Sequence, residues 1–240
     1  MGLLEVEKHH SKGAVGNQPP PSASGTERCN FVFVLFLYEY RDALYVNLTN
    51  RCPVACRFCV RQSWDWSYRG QDLKLGRGEP TTRELIAGAS ERLSASPRLR
   101  ELVFCGYGEP TMRLDAMNAV GLHVRLARPK LPIRLNTIGL GSLVQGRDIA
   151  PELALFLDSV SVSLNTADPA QWEELHRPSP AWRGRGHAAV REFVASCLKA
   201  GLKTTVTAVH LPEVDLAAVK NWARGAGAAF RLRPRLEDET

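Results

Sequence analysis

Three cysteines lie close together in the segment NRCPVACRFCVR, which runs from residue 50 to residue 61. Three residues separate Cys52 from Cys56, and two separate Cys56 from Cys59. Thiolates at this spacing can bind one metal centre from a single loop. Structural zinc sites and ferredoxin-type clusters both take four protein ligands, and the other three cysteines form no second close pair. The loop therefore favours an iron–sulfur cluster with one iron left open for a small ligand.

The same spacing leaves a structural zinc site as an alternative. Three thiolates and a distant fourth ligand, such as His123, would complete a tetrahedral site. A zinc or iron–sulfur module of this kind would be non-catalytic. The net charge of +6 would then let it bind nucleic acid through a basic surface.

Polar residues alternate with apolar ones in the segment SVSVSLN, at positions 159–165. Ser161, Ser163 and Asn165 would share one face of a strand, because successive side chains point to opposite faces. A buried hydroxyl without a partner costs about 1–3 kcal/mol, so a polar face in the interior needs hydrogen-bonding groups opposite it. We predict that this face points inward, since the alternate valines and leucine suit an exterior covered by helices.

The cysteine loop follows a predicted β-hairpin and precedes an alternation of helices and strands. The arms Phe31–Tyr40 and Ala43–Leu48 are rich in aromatic and β-branched residues around a short polar turn. Thr81-x-x-Glu84 is a capping box, which predicts the start of a helix. Five more strands are predicted after the second arm, at 101–105, 133–137, 159–164, 203–209 and 229–232. This alternation indicates a parallel sheet with helices outside it and ligands at the carboxyl ends of the strands.

Two stretches of the chain resemble one known family. The spacing Cys-x-x-x-Cys-x-x-Cys, with Phe58 just before the last cysteine, is similar to the signature of the radical S-adenosylmethionine (SAM) superfamily. The wider segments LYVNLTNRCPVACRFCVR and FCGYGEPTMRLD resemble the TatD-associated radical SAM proteins. The resemblance extends from about Phe33 to Arg235. It implies a partial (β/α)6 barrel, which the six predicted strands fit better than the eight of a closed barrel.

The resemblance also implies the cofactors and their ligands. Cys52, Cys56 and Cys59 would hold a four-iron, four-sulfur cluster, and the amino and carboxylate groups of SAM would chelate the fourth iron. Phe58 would lie near the adenine. One electron from the reduced cluster would cleave SAM to methionine and a 5′-deoxyadenosyl radical, which would abstract hydrogen from a substrate.

A Gly-Gly-Glu motif of the family corresponds here to Gly106, Tyr107, Gly108 and Glu109, with Tyr107 in place of the second glycine. The glycines would let the backbone come close, and Glu109 would accept hydrogen bonds from the SAM ammonium. A similar stretch at residues 76–81 follows no predicted strand. We interpret that first copy as a coincidental turn.

Polar residues at two other strand ends would complete the SAM site. The resemblance places Asn136 and Thr137 near the methionine carboxylate or the ribose, although a turn-forming role is an equal alternative. Ser163 and Asn165 would bind the ribose hydroxyls.

Two features of the second half of the chain suggest contact with substrate. The basic segment HRPSPAWRGRGH, residues 176–187, is predicted to be a lid. Arg231 and Arg233 share one face of the last strand, and one of them could reach a carboxylate or phosphate in the barrel. The sequence does not tell which of the two points inward.

Composition and charge indicate where the protein is located and which partners it binds. The chain has 240 residues, of which 44% are hydrophobic and 23% charged, as in ordinary globular proteins. Its most apolar run, at residues 31–38, is far shorter than the ~20 residues of a membrane span, so we expect a cytoplasmic protein with no membrane segment. The positive charge suggests an acidic electron donor of flavodoxin or ferredoxin type. The family resemblance suggests a functional association with a TatD-type nuclease.

The first thirty residues differ in composition from the rest of the chain. They are rich in Gly, Ser and Pro and show no hydrophobic period. We expect a disordered N-terminal extension over residues 1–30 and a radical SAM core domain over residues 31–240.

Overall fold

A computed structural model describes residues 36–235 except 64, 69, 70 and 77. The strands in this part of the chain are β1 (Leu37–Tyr40), β2 (Ala43–Val46), β3 (Ser67–Tyr68), β4 (Gln71–Asp72), β5 (Glu101–Phe104), β6 (Ile133–Thr137), β7 (Ser159–Ser163), β8 (Lys203–Val209) and β9 (Ala229–Arg233). The helices are α1 (Val60–Ser63), α2 (Thr82–Ala95), α3 (Leu114–Ala127), α4 (Gly141–Gln145), α5 (Ala150–Leu153), α6 (Pro169–His176), α7 (Gly186–Lys199) and α8 (Leu216–Gly225). Short 3-10 helices cover Pro110–Arg113 and Pro180–Trp182.

Seven strands form one sheet in the order β1-β2-β5-β6-β7-β8-β9. β1 pairs with β2 in antiparallel fashion, and every later pair in this sheet is parallel. The six parallel strands follow one another in chain order, as in the predicted partial (β/α)6 barrel. The mixed α/β fold class is therefore confirmed, and the carboxyl ends of six strands meet at one edge.

The outer face of the sheet packs against helices through fully buried side chains. Val160, Val162 and Leu164 of the β7 segment have no exposed surface, as expected for the helix-covered face. Phe104 of β5 meets Phe156 edge to face, with ring centroids 6.1 Å apart. Gly121 of α3 makes room for this pair, because a Cβ there would lie 2.1 Å from the Phe156 ring. This packing anchors the strands whose ends carry the candidate site.

Several predicted bounds differ from the structure. The first hairpin arm is confirmed over Leu37–Tyr40, while residues 31–35 and the predicted extension at 1–30 lie outside the described residues. The predicted lid segment 176–187 begins with the last residue of α6 and ends with the first two residues of α7, so its loop is shorter than predicted. The signal for α6 was present: Asp168 caps the helix through the amide of Gln171, and Pro169 occupies the first turn.

The described residues contain no helix that is both long and apolar enough to cross a membrane.

Candidate functional site

A cavity of about 350 Å³ opens at the carboxyl ends of the parallel strands. Its walls come from the segments that follow β2, β5, β6 and β7, and from the ends of β8 and β9. All twelve predicted site residues line it: Cys52, Cys56, Phe58, Cys59, Gly106, Tyr107, Gly108, Glu109, Asn136, Thr137, Ser163 and Asn165. Residues up to 113 positions apart in the chain thus meet at one place.

The three loop cysteines are close enough to repel one another when ionised. Burial raises the pKa of Cys52 to about 12, and the Glu109 carboxylate and Cys59 add to this effect. Burial raises the pKa of Cys56 as well, with further contributions from Cys52 and Cys59. The Arg61 guanidinium only partly opposes these increases. A metal centre would supply the positive charge that three neighbouring thiolates need, so this donor set fits an iron–sulfur cluster.

Among the described residues, no group of three His, Cys, Asp or Glu side chains is positioned to hold a single metal ion. His123, the fourth ligand considered for a zinc site, lies on α3, where its Nε2 is 3.0 Å from the hydroxyl of Ser90. The cavity wall that contains the cysteines is formed by other elements.

Glu79 fixes the entrance to the cysteine loop, so the first Gly-x-Gly-Glu stretch is more than a coincidental turn. Its carboxylate accepts hydrogen bonds from the Thr49 hydroxyl and, at 2.8 Å, from Nε of Arg51. Nε of Arg113 lies 3.3 Å from the same carboxylate. These contacts hold the backbone that leads into Cys52. Sequence reasoning missed them because they join segments about thirty and more residues apart.

The middle of the cysteine loop is held by α6. The Ala55 amide donates to the carbonyl oxygen of His176 at 2.9 Å. The Arg57 amide donates to the carbonyl oxygen of Leu175 at 2.8 Å, and its guanidinium pairs with Glu174 at 2.9 Å. The segment between the cysteines is therefore fixed by a helix that sequence reasoning did not predict.

The two glycines of the Gly-Tyr-Gly-Glu segment let it approach the cysteine loop. A Cβ at Gly108 would lie 2.2 Å from the carbonyl oxygen of Thr49, and one at Gly106 would lie 2.0 Å from Oδ1 of Asn47. Tyr107 directs its hydroxyl to the carbonyl oxygen of Ser67 at 2.7 Å. Its aromatic ring joins a small apolar cluster beside the cavity, so a tyrosine at this position is compatible with the motif.

Glu109 is a buried carboxylate with 3% of its surface exposed. Oε1 accepts hydrogen bonds from the amide and hydroxyl of Thr111 and from the hydroxyl of Thr137, at 2.7–3.1 Å. Oε2 accepts one from the amide of Ile138, at 2.8 Å. Burial raises the pKa of Glu109, and these donors oppose the increase. Because a carboxylate offers about four acceptor positions, Oε2 can also accept a hydrogen bond from a cationic ligand in the cavity.

Comparison with known proteins identifies the superfamily of the chain. The radical SAM superfamily model matches residues 46–224, about three quarters of the chain. The chain belongs to the radical SAM superfamily. Enzymes of this superfamily use a four-iron, four-sulfur cluster and SAM.

Individual relatives of this radical SAM protein have low sequence identity to it. GTP 3′,8-cyclase from Erythrobacter litoralis is 26% identical over 77% of this chain and 51% of its own length. The enzyme of the same name from Streptomyces coelicolor is 32% identical over 72% of this chain and 46% of its own. The chain thus spans about half the length of these curated relatives. The SAM-bound structure of SuiB from Streptococcus suis shares the fold, with a TM-score of 0.56 and 15% identity over 80% of this chain and 38% of SuiB.

The polar residues at the ends of β6 and β7 line the radical SAM cavity in different ways. Asn136 accepts a hydrogen bond from Arg134 at 2.6 Å, and Thr137 donates to Glu109. Ser163 lies within 3.4 Å of the hydroxyl of Thr207. The Ser163 hydroxyl also accepts a hydrogen bond from Arg233 at 3.2 Å and lines the cavity, whereas Thr137 orients the glutamate.

Asn165 uses its side-chain amide within the protein. It has a left-handed backbone conformation, with φ of 64°, which asparagine tolerates better than most residues. Its Oδ1 accepts a hydrogen bond from the Val209 amide at 3.0 Å, and its Nδ2 lies 2.9 Å from Nε2 of His176. These contacts fix the end of β7 beside the cavity.

His176 connects this region to the cysteine loop. Its ring stacks on Trp172 with centroids 4.4 Å apart and meets Phe58 edge to face at 5.6 Å. Nδ1 lies 3.0 Å from the carbonyl oxygen of Trp172, so the neutral tautomer with a proton on Nδ1 donates there and accepts from Asn165 at Nε2. Burial lowers the pKa of His176 from 6.5 to about 4. His176 is therefore neutral near pH 7.

We expect the stability of the protein to depend on pH through His176. Between pH 6.5 and about 4 the unfolded chain binds a proton at this residue and the native state does not. The free energy of unfolding should therefore fall as the pH drops through this window, by up to about 1.4 kcal/mol per pH unit. Urea unfolding of the cluster-free protein from pH 7 to pH 4.5 would measure the slope.

Two histidine variants separate this effect from general acid sensitivity. In His176→Gln the slope of the free energy of unfolding against pH should be smaller by the contribution of one proton. His123→Gln, which changes a surface histidine, should keep the slope of the wild type. An unchanged slope in His176→Gln would show that another group titrates in this window.

Cys105 and Arg233 also line the cavity. Sequence reasoning did not assign Cys105 to the site, and it left open which of Arg231 and Arg233 points inward. Cys105 follows β5 directly, and burial raises the pKa of its thiol. Arg233 ends β9, and of the two arginines on that strand it is the one at the cavity, whereas Arg231 is exposed. The position of Cys105 at a strand end was the only signal in the sequence that could have identified it.

Proposed function

We propose that this chain cleaves SAM reductively, with Cys52, Cys56 and Cys59 as ligands of a four-iron, four-sulfur cluster. The observation that supports this best is the convergence of the three cysteines and Glu109 on one cavity of about 350 Å³. When bound and reduced, the cluster supplies one electron that splits SAM into methionine and a 5′-deoxyadenosyl radical, which abstracts hydrogen from a substrate.

The residues around the cysteines bind and orient SAM in this proposal. Glu109 would accept a hydrogen bond from the SAM ammonium through Oε2, and Gly106 and Gly108 let its backbone approach the segment that leads into Cys52. Phe58 contacts the adenine, and its edge-to-face contact with His176 supports its ring.

Polar groups at the ends of β6 and β7 complete the proposed SAM site. Asn136 contacts the methionine carboxylate or the ribose, and Thr137 contributes by fixing Glu109. Ser163 binds a ribose hydroxyl. Asn165 contributes mainly through the conformation it gives the strand end, since its amide bonds to Val209 and His176.

The curated relatives are named for a cyclisation of GTP. This chain spans about half their length, so we extend to it only the chemistry of the shared half, which is SAM cleavage.

We infer the physiological setting from the sequence. We propose a TatD-associated radical SAM protein in the cytoplasm, with its core domain over residues 31–240. Co-purification with a TatD-type nuclease would test the association. We propose a flavodoxin or ferredoxin as electron donor, attracted by the net charge of +6. Reduction kinetics that do not change between low and high salt would count against electrostatic docking.

Anaerobic reconstitution with iron and sulfide tests the proposed function. The reconstituted protein should contain about four irons and four sulfides per chain, the composition of one four-iron cluster. Addition of dithionite and SAM should yield 5′-deoxyadenosine, detected by mass spectrometry, and omission of dithionite should abolish it. One zinc per chain without sulfide would favour the non-catalytic alternative, and a stable cluster without SAM cleavage would contradict the proposed reaction.

A further inference from the structure

Arg233 brings a positive charge to the wall of the cavity. It ends β9, the edge strand of the seven-stranded sheet, and pairs in register with Val209 of β8. One terminal nitrogen of its guanidinium donates a hydrogen bond to the hydroxyl of Ser163 on β7, at 3.2 Å. The guanidinium thus extends across β8 and lies beside a hydroxyl that we assign to the site.

The charge of Arg233 lacks a carboxylate partner within the described part of the chain. Its Nε is buried and has no hydrogen-bond partner among the described residues. Burial and the neighbouring Arg231 lower the pKa of Arg233, and the thiols of Cys105 and Cys56 oppose this only in part. Three other arginines with mostly buried side chains each pair with a carboxylate: Arg113 with Glu79, Arg125 with Asp158, and Arg134 with Glu101.

Such an arrangement is costly unless a ligand completes it. A buried charge without a partner destabilises a fold, and a guanidinium binds an oxyanion best through two parallel N–H donors. The free Nε–H and the terminal N–H groups form such a pair of donors. The Ser163 hydroxyl, which we assign to the ribose of SAM, lies beside them and accepts a hydrogen bond from one terminal nitrogen.

We propose that Arg233 binds a carboxylate or phosphate group of the substrate, which makes the substrate an anionic molecule. This inference rests on the proposed function, because it places the substrate in the SAM cavity. Arg233 and Glu109 line different walls of the same cavity.

The position of Arg233 favours the substrate over SAM as the source of the anion. The ammonium and carboxylate of SAM are attached to the same carbon, so both belong near Glu109, which follows β5. Three strands, β6, β7 and β8, separate β5 from β9 in the sheet. An anion at Arg233 therefore belongs to a molecule that binds next to SAM.

Binding of small anions to the reconstituted protein tests this proposal. Inorganic phosphate and acetate would be titrated calorimetrically in the presence of saturating SAM, so that the SAM site is filled. Arg233→Met should weaken binding of at least one of these anions by about 10- to 100-fold, the range for loss of a hydrogen bond to a charged group. Arg231→Met removes an exposed arginine from the same strand and should change binding less than about twofold. Equal binding by wild type and Arg233→Met, or none by wild type, would overturn the proposal.

Decarboxylated SAM distinguishes the two sources of the anion. If Arg233 binds the substrate, Arg233→Met should bind SAM and decarboxylated SAM with the same relative affinity as wild type does. If the variant loses affinity for SAM but not for decarboxylated SAM, Arg233 serves the SAM carboxylate and the substrate assignment is wrong.

Thermal unfolding and SAM cleavage separate the remaining outcomes. Without an added anion, Arg233→Met should unfold at the same or a higher temperature than wild type, because an uncompensated buried charge is removed. A lower unfolding temperature in both Arg233→Met and Arg233→Lys would show a structural role instead. Formation of 5′-deoxyadenosine by wild type confirms the proposed function even if anion binding fails, and its absence contradicts that function whatever the anion titrations show.

Discussion

Replacement of Cys56 by alanine should abolish cluster binding and SAM cleavage. Cys56 is the middle cysteine of the loop, and its two neighbours line the same cavity wall. Removal of one of the three proposed ligands would leave an iron without its thiolate. We expect 5′-deoxyadenosine formation to fall by more than about 100-fold. Mutation of residues that only support metal ligands already lowers activity by about 10- to 100-fold. Iron and sulfide content, measured on the same preparation, should fall in parallel.

Cys197 provides a matched control for this prediction. It is fully buried in α7 as part of the apolar core, and burial raises the pKa of its thiol to about 12. Cys197→Ala should keep the cluster and the activity, with a loss of about 1 kcal/mol in stability. Wild-type iron content and activity in Cys56→Ala would refute the ligand assignment. Equal loss in both variants would indicate general destabilisation.

Replacement of Gly108 by alanine should destabilise the protein and misplace Glu109. The new Cβ would lie 2.2 Å from the carbonyl oxygen of Thr49 and 2.6 Å from that of Arg51. Both contacts are to backbone, so the clash is relieved only if the segment that leads into Cys52 moves. That movement would also break the 2.8 Å hydrogen bond from the Glu109 amide to Arg51. We expect a loss of about 2–5 kcal/mol in the free energy of unfolding, measured by urea titration.

Gly225 offers the comparison for the Gly108 variant. It is the last residue of α8, and a Cβ there would meet nothing within 4 Å. Gly225→Ala should be neutral or stabilising by up to about 1 kcal/mol, since alanine has the higher helix propensity. If Gly108→Ala were as stable as Gly225→Ala and retained its cluster, the close approach of Gly108 to the segment that leads into Cys52 would not be required for stability or for cluster binding.

The parts of the site that the sequence predicts are those encoded in short stretches of chain. The cysteine spacing, the Gly-Tyr-Gly-Glu segment after a strand and the alternation of β7 are local patterns. The structure places the residues of the first two patterns at one cavity, together with Ser163 and Asn165 of the third, whereas Ser161 does not line it. The capping box at Thr81 is likewise confirmed, because its two reciprocal hydrogen bonds join residues three positions apart.

The parts that sequence reasoning missed depend on contacts between distant segments. Glu79 lies in a stretch whose sequence is typical of a turn. It fixes the entrance to the cysteine loop through contacts with Thr49, Arg51 and Arg113. The inward position of Arg233 depends on the location of Ser163 two strands away. Alternation along β9 puts Arg231 and Arg233 on one face, so the sequence alone does not show which of them lines the cavity.

The attachment of the cysteine loop to α6 has a consequence for the order of events during synthesis. Arg57 pairs with Glu174 and Glu213, which are 117 and 156 residues further along the chain. The cysteines therefore leave the ribosome long before the residues that hold their loop in place. Until those residues have been translated and folded, the thiols are exposed to oxidants and to competing metal ions. Iron–sulfur carrier proteins would thus find a finished binding site only late in translation or after release.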